Sequence, residues 1–146
     1  MRVSVVGHAA FTFAMFGLMW AVQIIIYPQF RSVTPADFAS YAADHSTRIT
    51  TALALLAPAE IIFAAWLWLD TPSGVSRSAT FVSGAFLAAG WVATAVWFAP
   101  LHGKFLGEYD LDRINQLIST NWLRTLLWSA RAGFAAWFIF QVVDDG

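Results

Sequence analysis

The sequence predicts an all-α integral membrane protein, an antiparallel four-helix bundle with a short interfacial helix before helix two. Three observations predict it. The 146 residues are 59% hydrophobic and 12% charged, with eight Trp and thirteen Phe, a balance outside that of soluble domains. Four apolar runs each reach the roughly 20 residues that a membrane helix needs. The segments between them carry turn and capping chemistry, so the chain reads as a single transmembrane domain over 1–146 with helices at about 8–27, 49–69, 79–99 and 123–143.

The first run follows a short basic start at Arg2, as a signal peptide would. It is too long for one and lacks a small-x-small cleavage site, so it reads as a helix. In the connection that follows, Thr34-Pro35-Ala36-Asp37 has the order of an N-cap, a proline at N1 and a carboxylate at N3. A helix is therefore expected to pass through Tyr41 along or into the membrane surface. Thr71-Pro72-Ser73-Gly74 is a tight turn joining helices two and three. Asp110, followed by Asp112, marks a helix start ahead of the fourth run, which then becomes one rod from about 111 to 143.

Four antiparallel helices put both termini and the short turn on one face, side A, and the two longer connections on side B. Ala85, Ala89 and Ala93, with Gly84 and Ala88 beside them, form a small-residue stripe expected to pack closely, as do Ala132 and Ala136. Trp66, Trp68 and Trp122 suit the aromatic belts at the two interfaces. Side A carries Arg2 and Arg77; side B carries Arg31, Lys104 and Arg113, with Arg48 and Arg124 near that interface. The balance favours side B in the cytoplasm and non-cytoplasmic termini, in a bacterial inner membrane.

Composition also excludes. A net charge of −1 with scattered basic residues offers no footprint for nucleic acid. The absence of cysteine removes disulfides, thiolate nucleophiles and Cys-ligated metals. There is no P-loop, Gly-x-Gly-x-x-Gly, His-Glu-x-x-His or Gly-x-Ser-x-Gly.

What remains is polar chemistry inside apolar helices. Asn121, Arg124, Trp128 and Arg131 share one face of the last helix, and arginines at that depth need partners in the protein interior. Antiparallel order gathers Tyr27, His45, Arg48, His102, Asn121 and Arg124 at side B. There His45, His102 and Arg124 are candidate catalytic groups, the histidines as proton carriers or as ligands of any metal or haem. Tyr27, Arg48, Asn121 and Trp128 are candidate ligand-binding groups. Glu60 lies fifteen residues beyond His45, about 22 Å along a helix, too far to share a metal with the histidines. Depth pairs it instead with Arg131, as a buried ion pair. His8 is expected at the side A interface. Thr12, Gln23 and Thr94 are expected to make hydrogen bonds between or within helices, and Met15 and Met19 to pack.

Tyr27-Pro28, His45-x-x-Arg48, Pro58-x-Glu60, Pro100-Leu101-His102, Asn121-Trp122-x-Arg124-Thr125 and Trp128-x-x-Arg131 together resemble small four-helix bacterial integral membrane proteins of unknown function. That resemblance implies a fold and no activity. More distantly, the size and the Arg-bearing last helix look like the anthrone-oxygenase-like membrane proteins, which implies oxidation of a flat aromatic or quinone-like compound without assigning any catalytic residue.

Three functions fit these residues. In the first, the bundle holds a small ligand, quinone-like or aromatic, a haem or a metal, near side B and performs or supports redox chemistry. In the second, it is a non-catalytic structural subunit of a larger membrane complex. The third is a proton or small-solute conduit through a homo-oligomer. It requires polar groups continuing to side A, where helix four offers only Gln141. The first requires a cavity converging on the histidines, the second a filled interior.

Overall fold

The computed structural model describes residues 3–105 and 109–144. It contains four long helices: α1 (Val3–Ser32), α2 (Phe38–Leu69), α3 (Arg77–Lys104) and α4 (Leu111–Asp144). All four are long and apolar enough to cross a membrane, and no strand occurs among the described residues. The fold is an all-helical, membrane-type bundle. Arg2, counted above on side A, lies outside the described residues.

Local capping sets the starts of α3 and α4. Asp110 Oδ1 accepts from Arg113 N–H at 3.0 Å and its carbonyl from Ile114 N–H at 3.0 Å, so α4 starts where the sequence expects. Ser76 Oγ caps α3 through Ala79 N–H. Gly74 supplies the left-handed φ of 87° that closes the α2–α3 turn, together with the Val75 N–H to Pro72 carbonyl bond of 3.1 Å.

The separate interfacial helix is corrected. Residues from Phe38 onward are the first turns of α2 itself, which runs unbroken for 32 residues with Pro58 inside it. Thr34 is not the N-cap. Thr34 to Asp37 form a turn in which Thr34 Oγ1 donates to Asp37 Oδ2 at 2.6 Å, and Asp37 stands at the cap position. The extra turn moves the helix start three residues along, and no second helix end separates the surface segment from the membrane rod.

α1 packs most extensively on α4 and α2, and α3 packs on α4, whereas α2 and α3 make sparser contact. The core is layered along the bundle axis. Val5, Leu67, Val75, Ala79 and Phe138 fill the side A end, Met15, Met19 and Trp128 the middle, and Phe30, Phe38, Phe98 and Phe105 the side B end. Of the Ala85, Ala89 and Ala93 stripe, Ala93 packs against the core, but Ala85 and Ala89 do not make the close packing expected of them. Both residues are exposed, and α3 instead buries Ala79, Ser83, Leu87 and Gly90. Trp128 of α4 packs directly on Gly90 of α3: a methyl group there would stand 2.6 Å from Trp128 Cζ3.

Two wide turns of π-helix interrupt α1 at Val22–Ile26 and α3 at Thr94–Phe98. Each ends two residues before a proline, Pro28 and Pro100. A proline has no N–H, and in a regular helix its ring presses on the carbonyl four residues back. Here the preceding residue bonds five residues back, Tyr27 N–H to the Val22 carbonyl and Ala99 N–H to the Thr94 carbonyl. The extra residue in each turn resets the inward faces that carry Tyr27 and His102.

Candidate functional site

The side B site grows from Arg124, which is 5% exposed. Its Nε and Nη2 donate to Asn121 Oδ1 at 2.9 and 2.6 Å, and Nη2 also donates to the Tyr27 hydroxyl at 2.9 Å. Nη1 lies 3.5 Å from Thr94 Oγ1, and the guanidinium sits 4.0 Å over the Phe98 ring. Behind it, Asn121 Nδ2 donates to Gln23 Oε1 at 2.8 Å, and Gln23 Nε2 to the Ile118 carbonyl at 3.1 Å. A backbone carbonyl thus anchors Gln23, which orients Asn121, which holds Arg124, so the cation is fixed before any ligand arrives. Among the described residues no carboxylate forms an ion pair with Arg124. Its charge is met only by neutral oxygens and a ring face.

His102 Nδ1 lies 2.8 Å from the Phe98 carbonyl. A carbonyl only accepts, so Nδ1 carries the proton and the buried Nε2 holds a lone pair with no partner among the described residues. The His45 ring stacks on that of His102 at 5.8 Å and 18°, and its Nε2 is likewise buried without a partner. The Tyr27 ring lies 5.5 Å from His102 and 6.1 Å from His45.

These groups border a cavity of about 230 Å³. Tyr27, His102 and Arg124 reach its wall, together with Thr94 and Phe98. Met19 and Val22 line it from α1, and Ile49, Thr50 and Leu53 from α2. Its exposed lining residues, Thr50, Ala99 and Gly103, lie on α2 and α3, the pair in sparser contact. Above it, toward side B, Phe38 packs edge-on against Phe30, Phe105 and Tyr109 at 5.2–6.0 Å. An aromatic cap therefore covers the end of the bundle, and the cavity opens laterally.

A second polar centre lies toward the middle of the bundle. Arg131 Nη1 donates to Glu60 Oε1, which also accepts from Trp128 Nε1 at 3.0 Å; all three side chains are buried. Arg131 Nη2 stands 3.5 Å from His8 Nε2.

Some residues named from the sequence fall elsewhere. Arg48 does not reach the site: it pairs with Asp44 at 2.7 Å on the outer face of α2, with 78% of its side chain exposed. The i, i+4 carboxylate captures it. Trp128 lines no part of the side B cavity, because its indole turns down to Glu60. Asn121 and His45 back the cavity residues rather than line the space. His8, expected at the side A end, turns into the bundle; it is 3% exposed and packs beside Phe138 at 5.8 Å. Polar groups do continue to side A, on α1 and α3 rather than α4, since Ser4, His8, Thr12 and Ser83 are all buried.

Gln23 and Thr94 make the hydrogen bonds between and within helices that the sequence suggests, and those bonds place them beside Arg124; sequence reasoning missed Phe98 as a cation platform. Gln23 stands one turn before Tyr27, and Thr94 opens the wide turn ahead of Pro100, which are the signals that pointed to them. Metal ligation has only two candidate nitrogens at this site. Among the described residues no cluster of three His, Cys, Asp or Glu side chains is placed to hold an ion. Comparison with protein-family models, curated proteins and solved structures finds no match.

Proposed function

We propose that the protein binds a membrane-soluble aromatic molecule bearing a carbonyl or phenolic oxygen, of the quinone-like class, in the side B cavity, and exchanges protons with it. The observation that carries this reading is that Arg124, Tyr27 and His102 line one cavity, with the guanidinium fixed by Asn121 and Tyr27 and free of any carboxylate among the described residues. Arg124 and Tyr27 suit a carbonyl or phenolate oxygen: the hydroxyl accepts from Arg124 and keeps its own proton to donate. His102 Nε2 suits the opposite task, accepting a proton from a ligand hydroxyl, with His45 stacked behind it as the next proton carrier. The cavity is small against the roughly 300–1,000 Å³ of drug-sized sites, which fits a compact ring head group. Its lateral opening between α2 and α3 fits entry from the bilayer.

The same ligand class follows from the resemblance to anthrone-oxygenase-like proteins, and a supporting role in redox chemistry belongs to this reading. The structural-subunit alternative calls for a filled interior, which the cavity disfavours. A bacterial inner membrane with side B cytoplasmic is the setting we propose, on the excess of arginine and lysine at that end.

Native mass spectrometry of protein extracted gently from its own membranes tests the reading. A stoichiometric adduct of quinone-like mass, lost in His102→Ala and weakened in Tyr27→Phe, is the expected result. A bare chain, or an adduct indifferent to both substitutions, overturns it.

A further inference from the structure

We propose that the side A half of the bundle holds a file of water that runs from that membrane face to Glu60 and Arg131 and stops at Trp128. It would be a half-channel that carries water and protons to the buried ion pair.

The inward stripe of α1 is polar over its side A half. Ser4, His8 and Thr12 follow one another at one-turn spacing, together spanning about 12 Å, and each is at most 3% exposed. Ser4 Oγ, His8 Nδ1 and Thr12 Oγ1 have no hydrogen-bond partner among the described residues, nor do Ser83 Oγ and Arg131 Nε. Arg131 can only donate, so its contact with His8 Nε2 leaves the His8 proton on the unpartnered Nδ1.

These hydroxyls contrast with others in the same helices. Thr47, Thr51, Thr94, Thr120 and Ser129 all donate back to the carbonyl four residues earlier. That local bond is the ordinary resting place of a helical hydroxyl away from water. Thr12 and Ser83, which have such a carbonyl at His8 and Ala79, forgo it. Buried polar atoms are almost always paired with protein or with ordered water, and an orphan costs about 1–3 kcal/mol. Water with two to four such partners is the usual remedy.

Helix register brings these groups together. His8 faces Arg131 and Phe138 on α4. Ser83 lies seven residues, about 10 Å, to the side A of Gly90, which touches Trp128; that is the depth of His8. Thr12, one turn deeper, comes level with Arg131 and Glu60. Beyond them the core is closed by Met15, Met19 and Trp128, which are at most 3% exposed. The file therefore ends at the ion pair and stays separate from the side B cavity.

The cysteine-free chain allows a direct test. Ser83→Cys, Thr12→Cys and Met15→Cys are placed singly in the full chain in phosphatidylcholine nanodiscs. Each is exposed to silver ions, and the thiols still free are counted with a fluorescent maleimide after denaturation. Silver should protect Ser83→Cys and Thr12→Cys at least tenfold faster than Met15→Cys, and adding Ser4→Leu at the side A end should slow both. Equal rates at all three positions overturn the proposal, as does protection of Ser83→Cys that Ser4→Leu leaves unchanged. Should Thr12→Cys fail to assemble, Ser83→Cys, an oxygen-to-sulfur exchange on another helix, decides the matter alone.

Discussion

Arg124 and Arg131 are the same side chain seven residues apart on one face of α4, and the bundle treats them in opposite ways. Arg131 is neutralised by Glu60, while among the described residues Arg124 meets only Asn121, Tyr27, Thr94 and a phenyl face. A buried cation without a counter-ion is costly and marks a site that an electron-rich ligand completes. The two positions should therefore respond differently to substitution. Arg131→Leu strands a buried carboxylate and should destabilise the bundle by about 3–5 kcal/mol, whereas adding Glu60→Leu should recover most of that loss. Unfolding titrations in mixed micelles measure both, and a double variant as unstable as the single one would refute the pairing argument. Tyr27→Phe removes one interhelical hydrogen bond, which costs stability only about 1 kcal/mol in a membrane setting. Its effect on ligand retention should be larger, at least tenfold, because the hydroxyl stands at the cavity wall.

At the scale of the helix, two proline-linked wide turns and one close helix contact set the geometry. A π-turn contains one residue more than the regular helix needs, so removing that residue leaves the flanking faces in register. Deleting Val96, which is 72% exposed inside the α3 turn, should leave an assembled bundle. Deleting Leu87 from the regular part of α3 rotates everything after it by about 100° and should abolish assembly. Gel filtration and circular dichroism compare the two, and equal yields would show that the wide turn has no such role. Gly90→Ala presses a methyl group into Trp128. Overpacking of this kind costs about 1–3 kcal/mol, and the displaced indole should lose its bond to Glu60 and change its fluorescence.

For the whole molecule, the sparser α2–α3 contact leaves a lateral seam. The side B cavity opens there, and an apolar groove lined by Ala64, Ala65, Gly84, Ala85 and Ala88 lies on the same two helices toward side A. Of the small residues expected to seal α3 against a neighbour, Gly84, Ala85 and Ala88 line this groove instead. Orientation is testable at the same scale: a cysteine at Ser73 in the short turn should react with a membrane-impermeant maleimide from outside intact cells. Reaction only after lysis would place side A in the cytoplasm.

By itself the sequence determined the helical membrane class, the α4 start at Asp110, the gathering of Tyr27, His45, His102, Asn121 and Arg124 at one end, and the matching depth of Glu60 and Arg131. These follow from hydropathy, capping chemistry and a fixed rise per residue, which are local or one-dimensional quantities. Tertiary structure alone decided which way each polar side chain turned. Arg48 went outward to Asp44, Trp128 down to Glu60, and His8 inward to Arg131. Rotation about the helix axis decides each of these, and that rotation is set by packing and by the extra residue in two wide turns. Polar spacing marks the inward face of α4, but apolar periodicity elsewhere says little about rotation, because lipid-facing and core-facing sides of a membrane helix are both largely apolar.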